Sequence, residues 1–262
     1  MDHMNIFHID SSPRLESHSR QLSGAIVKKL LEVAPGSSIT RRDLGAEPLP
    51  HTVSQYAAAL ASPATLAAPP KGSLDVSEAL IQEVEAADVI VIGTPMYNFS
   101  IPSTLKAWID QILRVGRTMK STPAGKVGML RDRPVFIGVS SGGVFAGDRA
   151  NQPDFVTPYL TLAFNSIGLK TLQFFPLQAT AFLDRDQAPV ARENALAAID
   201  LTVMEDLRSV YGRGASDRAS VPRRADRAQG GPLPFKILAA LGDAGVARDP
   251  SLMGLARPSP VS

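Results

Sequence analysis

The segment DVIVIG, 88–93, is apolar at four successive positions, Val89 to Ile92, so a strand formed there shows no polar face to water. An alternating strand can lie on a surface, whereas one that is apolar throughout must be covered on both sides. Three further runs share this character: MNIFHID (4–10), RPVFIGVSS (133–141) and LKTLQFFPL (169–177). SITRRDL (38–44) is short and more polar, as expected of a strand at an edge. Between these runs the apolar residues recur every three or four positions, which is the period of one helix face. Leu22, Ile26, Leu30 and Val33 do so in one segment, and Leu74, Leu80, Ile81 and Val84 in another (73–87). In 103–116, Leu105, Trp108, Ile109 and Ile112 share a face, with Lys106, Asp110 and Arg114 four apart on another. The pattern predicts two more helices, 156–168 and 188–210, the second of them long and unbroken.

Strands alternating with helices predict an α/β fold, a parallel sheet with helices on both faces. Five strands in this sequence order suit the flavodoxin-like arrangement 2-1-3-4-5, whose ligands bind at the carboxyl ends of strands 1 and 3, where the strand order changes direction. The segments that follow those two strands, 11–19 and 94–102, are therefore the first places to look for chemistry. The connection 45–72 is longer than ordinary loops, with a helical piece expected around 52–60.

Of the 262 residues, 44% are hydrophobic and 20% charged, which suits one substantial domain. The net charge of +2 hides an asymmetry. From Gly212 onward Arg and Lys outnumber Asp, and prolines and glycines make up about a quarter of the segment, a composition poor in core-forming residues. The reading is a domain over 1–211 and a flexible extension over 212–262, in which only PFKILAALGDAG (234–245) has the makings of a short helix. The remaining body is slightly acidic, which argues against nucleic acid as a partner. Cysteine is absent, excluding disulfides and thiolate metal sites, and the four histidines (3, 8, 18, 51) do not cluster with carboxylates, so no metal site is expected. No apolar run reaches transmembrane length and the first residues lack the pattern of a signal peptide, which predicts a soluble, cytoplasmic protein.

Three loops carry candidate chemistry. The first, SSPRLESHSRQL (11–22), leads into a helix start, where hydroxyl groups and free backbone N–H groups suit an anionic phosphate; Ser17 or Ser19 acting only as a helix cap is the alternative. No Gly-rich phosphate loop or GxGxxG is present. The second, PMYNFSIP (95–102), sets Met96, Tyr97 and Phe99 beside Asn98, a wall for a flat heteroaromatic ring or else a hydrophobic plug under the long loop. The third, GVSSGGVFAGD (138–148), formally matches the GxSxG elbow of serine hydrolases at Gly138, Ser140 and Gly142. That chemistry needs a histidine after the serine, and all four histidines precede residue 140. Ser-Gly-Gly suits instead close approach of backbone to a flat ligand.

Taken together, SSPR with SHS, PMYNFSIPSTLKAWID, SSGG and VTPYL resemble the FMN-dependent NADH azoreductase and quinone reductase family over roughly residues 4–210. The resemblance implies a flavodoxin-like fold, noncovalent FMN and a homodimer with sites at its interface. It implies that Ser12, Ser17, His18 and Ser19 surround the phosphate and ribityl end, with Ser11 as the alternative to Ser12. Met96, Tyr97, Asn98 and Phe99 would border the isoalloxazine, and Ser140, Ser141, Gly142 and Gly143 would meet its pyrimidine side. Departures from the family pattern are Ser141 in place of an arginine, Phe145 where histidine is frequent, and Met119 and Ser121 where aromatic residues occur.

The implied activity is transfer of a hydride from NADH or NADPH to FMN and then, after the nicotinamide has left, to a quinone or an aromatic azo compound in the same place. Azo cleavage takes two such rounds. No single catalytic side chain is expected, the protein's work being to hold the ring and both substrates in turn. The alternatives are a flavodoxin-type electron carrier and a flavin-free interaction protein on the same fold.

Overall fold

The computed structural model describes residues 4–211. The expected 212–262 extension and its 234–245 helix lie outside the described residues. Five parallel strands form one sheet in the order β2-β1-β3-β6-β7: β1 (Asn5–Asp10), β2 (Ser38–Asp43), β3 (Val89–Pro95), β6 (Val135–Ser140) and β7 (Leu172–Leu177). In a count of five this is 2-1-3-4-5, the expected order, with β2 at one edge. The helices are α1 (His18–Val33), α2 (Ser54–Ala59), α3 (Pro63–Ala67), α4 (Asp75–Ala86), α5 (Ser103–Ile112), α6 (Thr157–Ile167), α7 (Gln187–Leu196) and α8 (Leu201–Tyr211). None of the described helices is long and apolar enough to cross a membrane.

Side chains of each central strand alternate between two cores. Phe7, Ile9, Ile90, Ile92, Ile137 and Val139 pack with Trp108 of α5, Phe164 of α6 and Ile81 of α4. Ile6, Val89, Val91, Phe136 and Phe175 face the other way, onto Leu22, Ile26 and Leu30 of α1, with Leu196 of α7 and Leu207 of α8. All seven residues of β3 are buried, which is what a strand apolar on both faces requires. Helix α1 lies so close to β3 that a Cβ on Gly93 would come within 2.6 Å of Ser23 Oγ and 2.7 Å of Asp10 Oδ1.

Four details differ from the sequence expectation. The segment 117–132, where the sequence pattern predicts no element, contains an antiparallel hairpin of β4 (Met119–Thr122) and β5 (Gly125–Gly128), closed through Pro123, Ala124 and a Gly125 at φ 118°. Its four-residue strands are too short for alternation to stand out. The long helix expected over 188–210 is two helices, because Asp200 accepts from Thr202 N at 2.8 Å and so caps a new start, while its own N–H goes to Gln173 Oε1. The helix expected over 103–116 ends at Ile112, where the Thr118 hydroxyl donates to the Ile112 carbonyl at 2.6 Å. The long 45–72 connection holds two short helices, α2 and α3, instead of one.

The early end of α5 also changes the setting of Arg114. Lys106 and Asp110 pair across one turn at 2.6 Å, as their spacing predicts. Arg114 lies beyond the helix and is buried, donating to Ser77 Oγ at 3.1 Å and pairing with Glu78 of α4. Arg117 reaches Glu78 at 3.0 Å and Glu85 at 2.7 Å. Hydrogen bonds from Arg117 and then Arg114, outweighing partial burial, hold Glu78 down from 4.5 to about 2.

A carboxylate depressed in the folded state contributes stability that is present above its unfolded pKa and lost as pH falls toward the folded one. Thermal unfolding is therefore expected to show a loss of Tm as pH falls from 4.5 toward 2 that is shallower in Glu78→Gln. Equal slopes in the two proteins, measured by circular dichroism, would count against this account.

Candidate functional site

β1, β3 and β6 are neighbours, so the loops that leave their carboxyl ends meet at one edge of the sheet. The first loop is tied to the second strand by Ser11, whose N–H and hydroxyl both reach the Gly93 carbonyl, at 3.0 and 3.2 Å. It is tied to α5 by the Thr104 hydroxyl, which donates to the Ser11 carbonyl at 3.1 Å. The second loop is tied to β6 by Met96 N, which donates to the Ser140 carbonyl at 2.8 Å, one residue beyond Pro95. Phe155 N donates to the Phe99 carbonyl at 3.1 Å, joining the far end of the third loop to the second.

Along the first loop, Ser11, Ser12, Ser17 and Ser19 are all buried. Ser17 caps α1, its oxygen accepting from Arg20 N at 3.3 Å, and it lies 3.0 Å from the Ser19 hydroxyl. The expectation that it could be a cap is thus met. The N–H groups of His18 and Ser19 belong to the first turn, where no helix carbonyl can receive them. No acidic side chain occupies that turn. His18 Nδ1 is buried without a hydrogen-bond partner. Burial, with Arg14 and Arg192 nearby, pushes the His18 imidazole below its usual pKa. Hydroxyls, unreceived N–H groups, an unpartnered ring nitrogen and nearby guanidiniums are a donor set that fits a phosphate. Between the two alternatives in this loop, Ser11 has spent its hydroxyl proton on Gly93, whereas Ser12 Oγ only accepts, from Arg14 N at 3.3 Å.

In the second loop Tyr97 and Ser100 exchange backbone hydrogen bonds at 2.9 and 3.0 Å, closing a two-residue turn. The turn residues, Asn98 and Phe99, have φ of 48° and 70°. Two left-handed residues are what a mirror-image hairpin turn requires, and asparagine accepts that geometry where phenylalanine does not. A left-handed phenylalanine costs about 1–2 kcal/mol, comparable to the net worth of one or two hydrogen bonds. Tyr97 and Phe99 are about half exposed, while Met96 is buried. Strained backbone carrying exposed aromatic rings is a feature of binding loops.

The third loop leaves β6 through the buried Ser140 and Ser141. No helix follows until Thr157, so the serine-hydrolase geometry is missing as well as its histidine. Gly142 is exposed and Gly143 half-buried, and a Cβ on Gly143 would strike the Gln152 side chain at 2.6 Å. Gln152 Nε2 donates to Ser141 Oγ at 2.7 Å and reaches Met96 Sδ at 3.3 Å, so this residue links the second and third loops. Gln178 Oε1 accepts from the N–H groups of Phe145 and Ala146 at 2.7 and 2.8 Å. Neither glutamine stood out in the sequence, since an isolated Gln in a loop carries no pattern. Phe145 and Met119 are buried in the core, and Ser121 receives Lys126 Nζ at 2.6 Å on the hairpin. Among the described residues, no three His, Asp or Glu side chains converge as metal ligands would.

The family model described as flavodoxin-like fold matches residues 4–203. FMN-dependent NADH:quinone oxidoreductase 4 of Pseudomonas fluorescens is 49% identical over 181 residues, covering 69% of this chain and 86% of that protein. FMN-dependent NADH:quinone oxidoreductase 2 of Cupriavidus pinatubonensis is 43% identical over 178 residues, covering 67% of this chain and 86% of that protein. Among solved structures, an FMN-dependent NADH-azoreductase from Bacillus anthracis in complex with FMN superposes with a TM-score of 0.62 at 23% identity, over 79% of this chain and 99% of that one. At that identity the likeness speaks for the fold. With its sheet order, its loops and these relatives together, the chain belongs to the flavodoxin-like family that includes the FMN-dependent NADH:quinone oxidoreductases.

Proposed function

We propose that this chain is an FMN-dependent NAD(P)H oxidoreductase that reduces quinones by two-electron hydride transfer and cleaves aromatic azo compounds reductively. The observation that carries the reading is the joining of three loops at the carboxyl ends of β1, β3 and β6, with a phosphate-suited donor set at one end and a strained aromatic turn at the other. Relatives named as FMN-dependent NADH:quinone oxidoreductases support it.

When bound, FMN supplies a ring able to accept a hydride from a nicotinamide and pass it on. The chain's own residues hold and orient. Ser12, Ser17, His18 and Ser19 hold the phosphate end, with Ser12 favoured over Ser11 because its hydroxyl proton is not committed. Met96, Tyr97, Asn98 and Phe99 border the ring, and Asn98 offers both a donor and an acceptor. Ser140, Ser141, Gly142 and Gly143 meet its polar edge, with Gln152 and Gln178 keeping that loop in place. Phe145, buried in the core, leaves no imidazole there to deliver a proton. Rate then comes from placing donor and acceptor in turn against one face, with protons drawn from water.

Leu15, Tyr97, Phe99 and Phe155 are large and exposed on the three loops, and Phe182 is exposed in the short 3-10 turn that follows β7. Exposed apolar side chains on these neighbouring loops support a homodimer in which a second subunit completes the wall of each site. Action in the cytoplasm, on NADH or NADPH, accords with this reading.

The purified 262-residue chain is expected to be yellow, to release FMN on denaturation, and to oxidise NADH rapidly when menadione is added. A chain that binds FMN but oxidises NADH slowly would be an electron carrier instead, and one that takes up no flavin would refute the site. In Phe99→Gly, relief of the left-handed strain offsets the entropy cost of glycine, so the Tm of the flavin-free protein should stay level or rise slightly. FMN affinity should fall several-fold in the same variant as the ring wall is lost. Unchanged affinity by fluorescence titration would make the turn purely structural.

A further inference from the structure

The side chains of Arg20 and Asp43 take no part in the contacts assigned above, yet they hold the first loop. Arg20, on the first turn of α1, is only 8% exposed. Its Nε and Nη2 both donate to the Ser12 carbonyl, at 2.9 and 2.6 Å. The same guanidinium grips both oxygens of Asp43, the last residue of β2, at 2.6 and 2.5 Å. Asp43 in turn accepts from the N–H groups of Gly45 and Ala46 at 3.2 and 3.0 Å. That turn backs onto the loop so closely that a Cβ on Gly45 would lie 2.0 Å from the Ser12 carbonyl oxygen and 2.8 Å from Pro13 N. The Ser12–Pro13 peptide is thus held by a cation and packed against backbone.

Ser11 is tied to Gly93 and Thr104, and Ser17 to the start of α1, but between them the Ser12–Pro13 peptide has little else to fix it. Pro13 has no N–H, and the loop's internal bonds are Arg14 N to Ser12 Oγ and Ser17 N to the Arg14 carbonyl. A peptide free to rotate could turn its carbonyl oxygen toward a bound anion and repel it. With that oxygen committed to two donors of Arg20, Ser12 presents its side chain instead. The planar fork of arginine can serve a carbonyl and a carboxylate together, which the single point charge of lysine cannot. The effect is orientational more than Coulombic. Asp43 at contact distance and Asp10 at 3.7 Å offset the charge of Arg20, and Arg41 at 2.9 Å offsets that of Asp10.

We propose that the Arg20–Asp43 pair is a positioning clamp that sets the loop after β1 for a phosphate monoester and so determines the preference of the site for FMN over riboflavin. The proposal rests on the flavin site argued above, and goes beyond it by assigning cofactor discrimination to two residues that do not touch the cofactor.

The test compares FMN and riboflavin binding, by quenching of flavin fluorescence, in the wild-type chain, Arg20→Ala, Arg20→Lys and Asp43→Asn, with circular dichroism to check folding. In Arg20→Ala the FMN dissociation constant should rise by about tenfold or more, the effect of one to two lost hydrogen bonds. The riboflavin constant should move by no more than about twofold, since riboflavin lacks the phosphate that the clamped loop serves. Arg20→Lys should restore the FMN preference only in part, and Asp43→Asn should lower it. If Arg20→Ala does not fold, the other two variants report the same ratio. FMN and riboflavin constants that rise in parallel, or do not move, overturn the clamp. A wild-type chain that binds neither flavin refutes the site itself, whereas tight FMN binding with an unchanged ratio in the variants refutes only the clamp.

Discussion

The seat of α1 on β3 is the contact on which the carboxyl edge of the sheet depends. Gly93 leaves room for Ser23 and Asp10 to lie against the strand, where any side chain would collide with them. That closeness brings the start of α1, with its unreceived N–H groups, down to the level at which β1 and β3 end. At the same level Ser11, directly after β1, bonds the Gly93 carbonyl from both its N–H and its hydroxyl, continuing the pairing of β1 with β3.

Beneath this contact lies a buried polar network instead of apolar packing. Asp10 is fully buried, and burial by itself would raise its pKa. Hydrogen bonds and charge from His8, with Ser23 and Arg20, outweigh that cost and hold it below the usual carboxylate range. Ser23 donates to Asp10 at 2.8 Å and lies 2.9 Å from His8 Nε2, so the serine joins helix to strand. Buried groups satisfied in this way favour one arrangement, because each alternative leaves a charge or a donor unpaired. The same logic explains Arg133, whose guanidinium donates to the carbonyls of Glu85 and Ala87, at 3.0 and 2.6 Å, at the end of α4.

The aromatic turn shows how local cost and site geometry connect. Asn98 and Phe99 adopt a conformation that side chains with a Cβ avoid, and the turn keeps it through reciprocal bonds between Tyr97 and Ser100 and a third from Phe155. Pro102, just ahead of α5, has no N–H to lose where a helix begins, so the chain re-enters regular structure at once. The turn therefore stands between two rigid elements, β3 and α5, which present Tyr97 and Phe99 in fixed directions.

Much of this was legible in the sequence, where local chemistry decides the outcome. Val89 to Ile92 could only be a strand covered on both faces, the three-to-four spacing in 22–33 could only bury one helix face, and Lys106 and Asp110 pair as their spacing dictates. The alternation of strands and helices suited the sheet order found, and it marked the loops after β1 and β3 as the first places to look for a site. What the tertiary structure alone decided are the outcomes that rest on residues distant in sequence. Asp200 broke a continuous helical pattern because its side chain caps a new helix and Gln173 receives its N–H. Arg114, which looked like a solvent-facing helix charge, is buried because α5 ends at Ile112 and Glu78 waits on α4. Gln152 and Gln178, silent as single letters, pin the third loop, and Arg20 meets Asp43 and Ser12 only once α1, β2 and the loop after β1 converge. Periodicity is a property of neighbours along the chain, whereas a hydrogen bond between side chains and loops far apart in sequence depends on where the fold brings them.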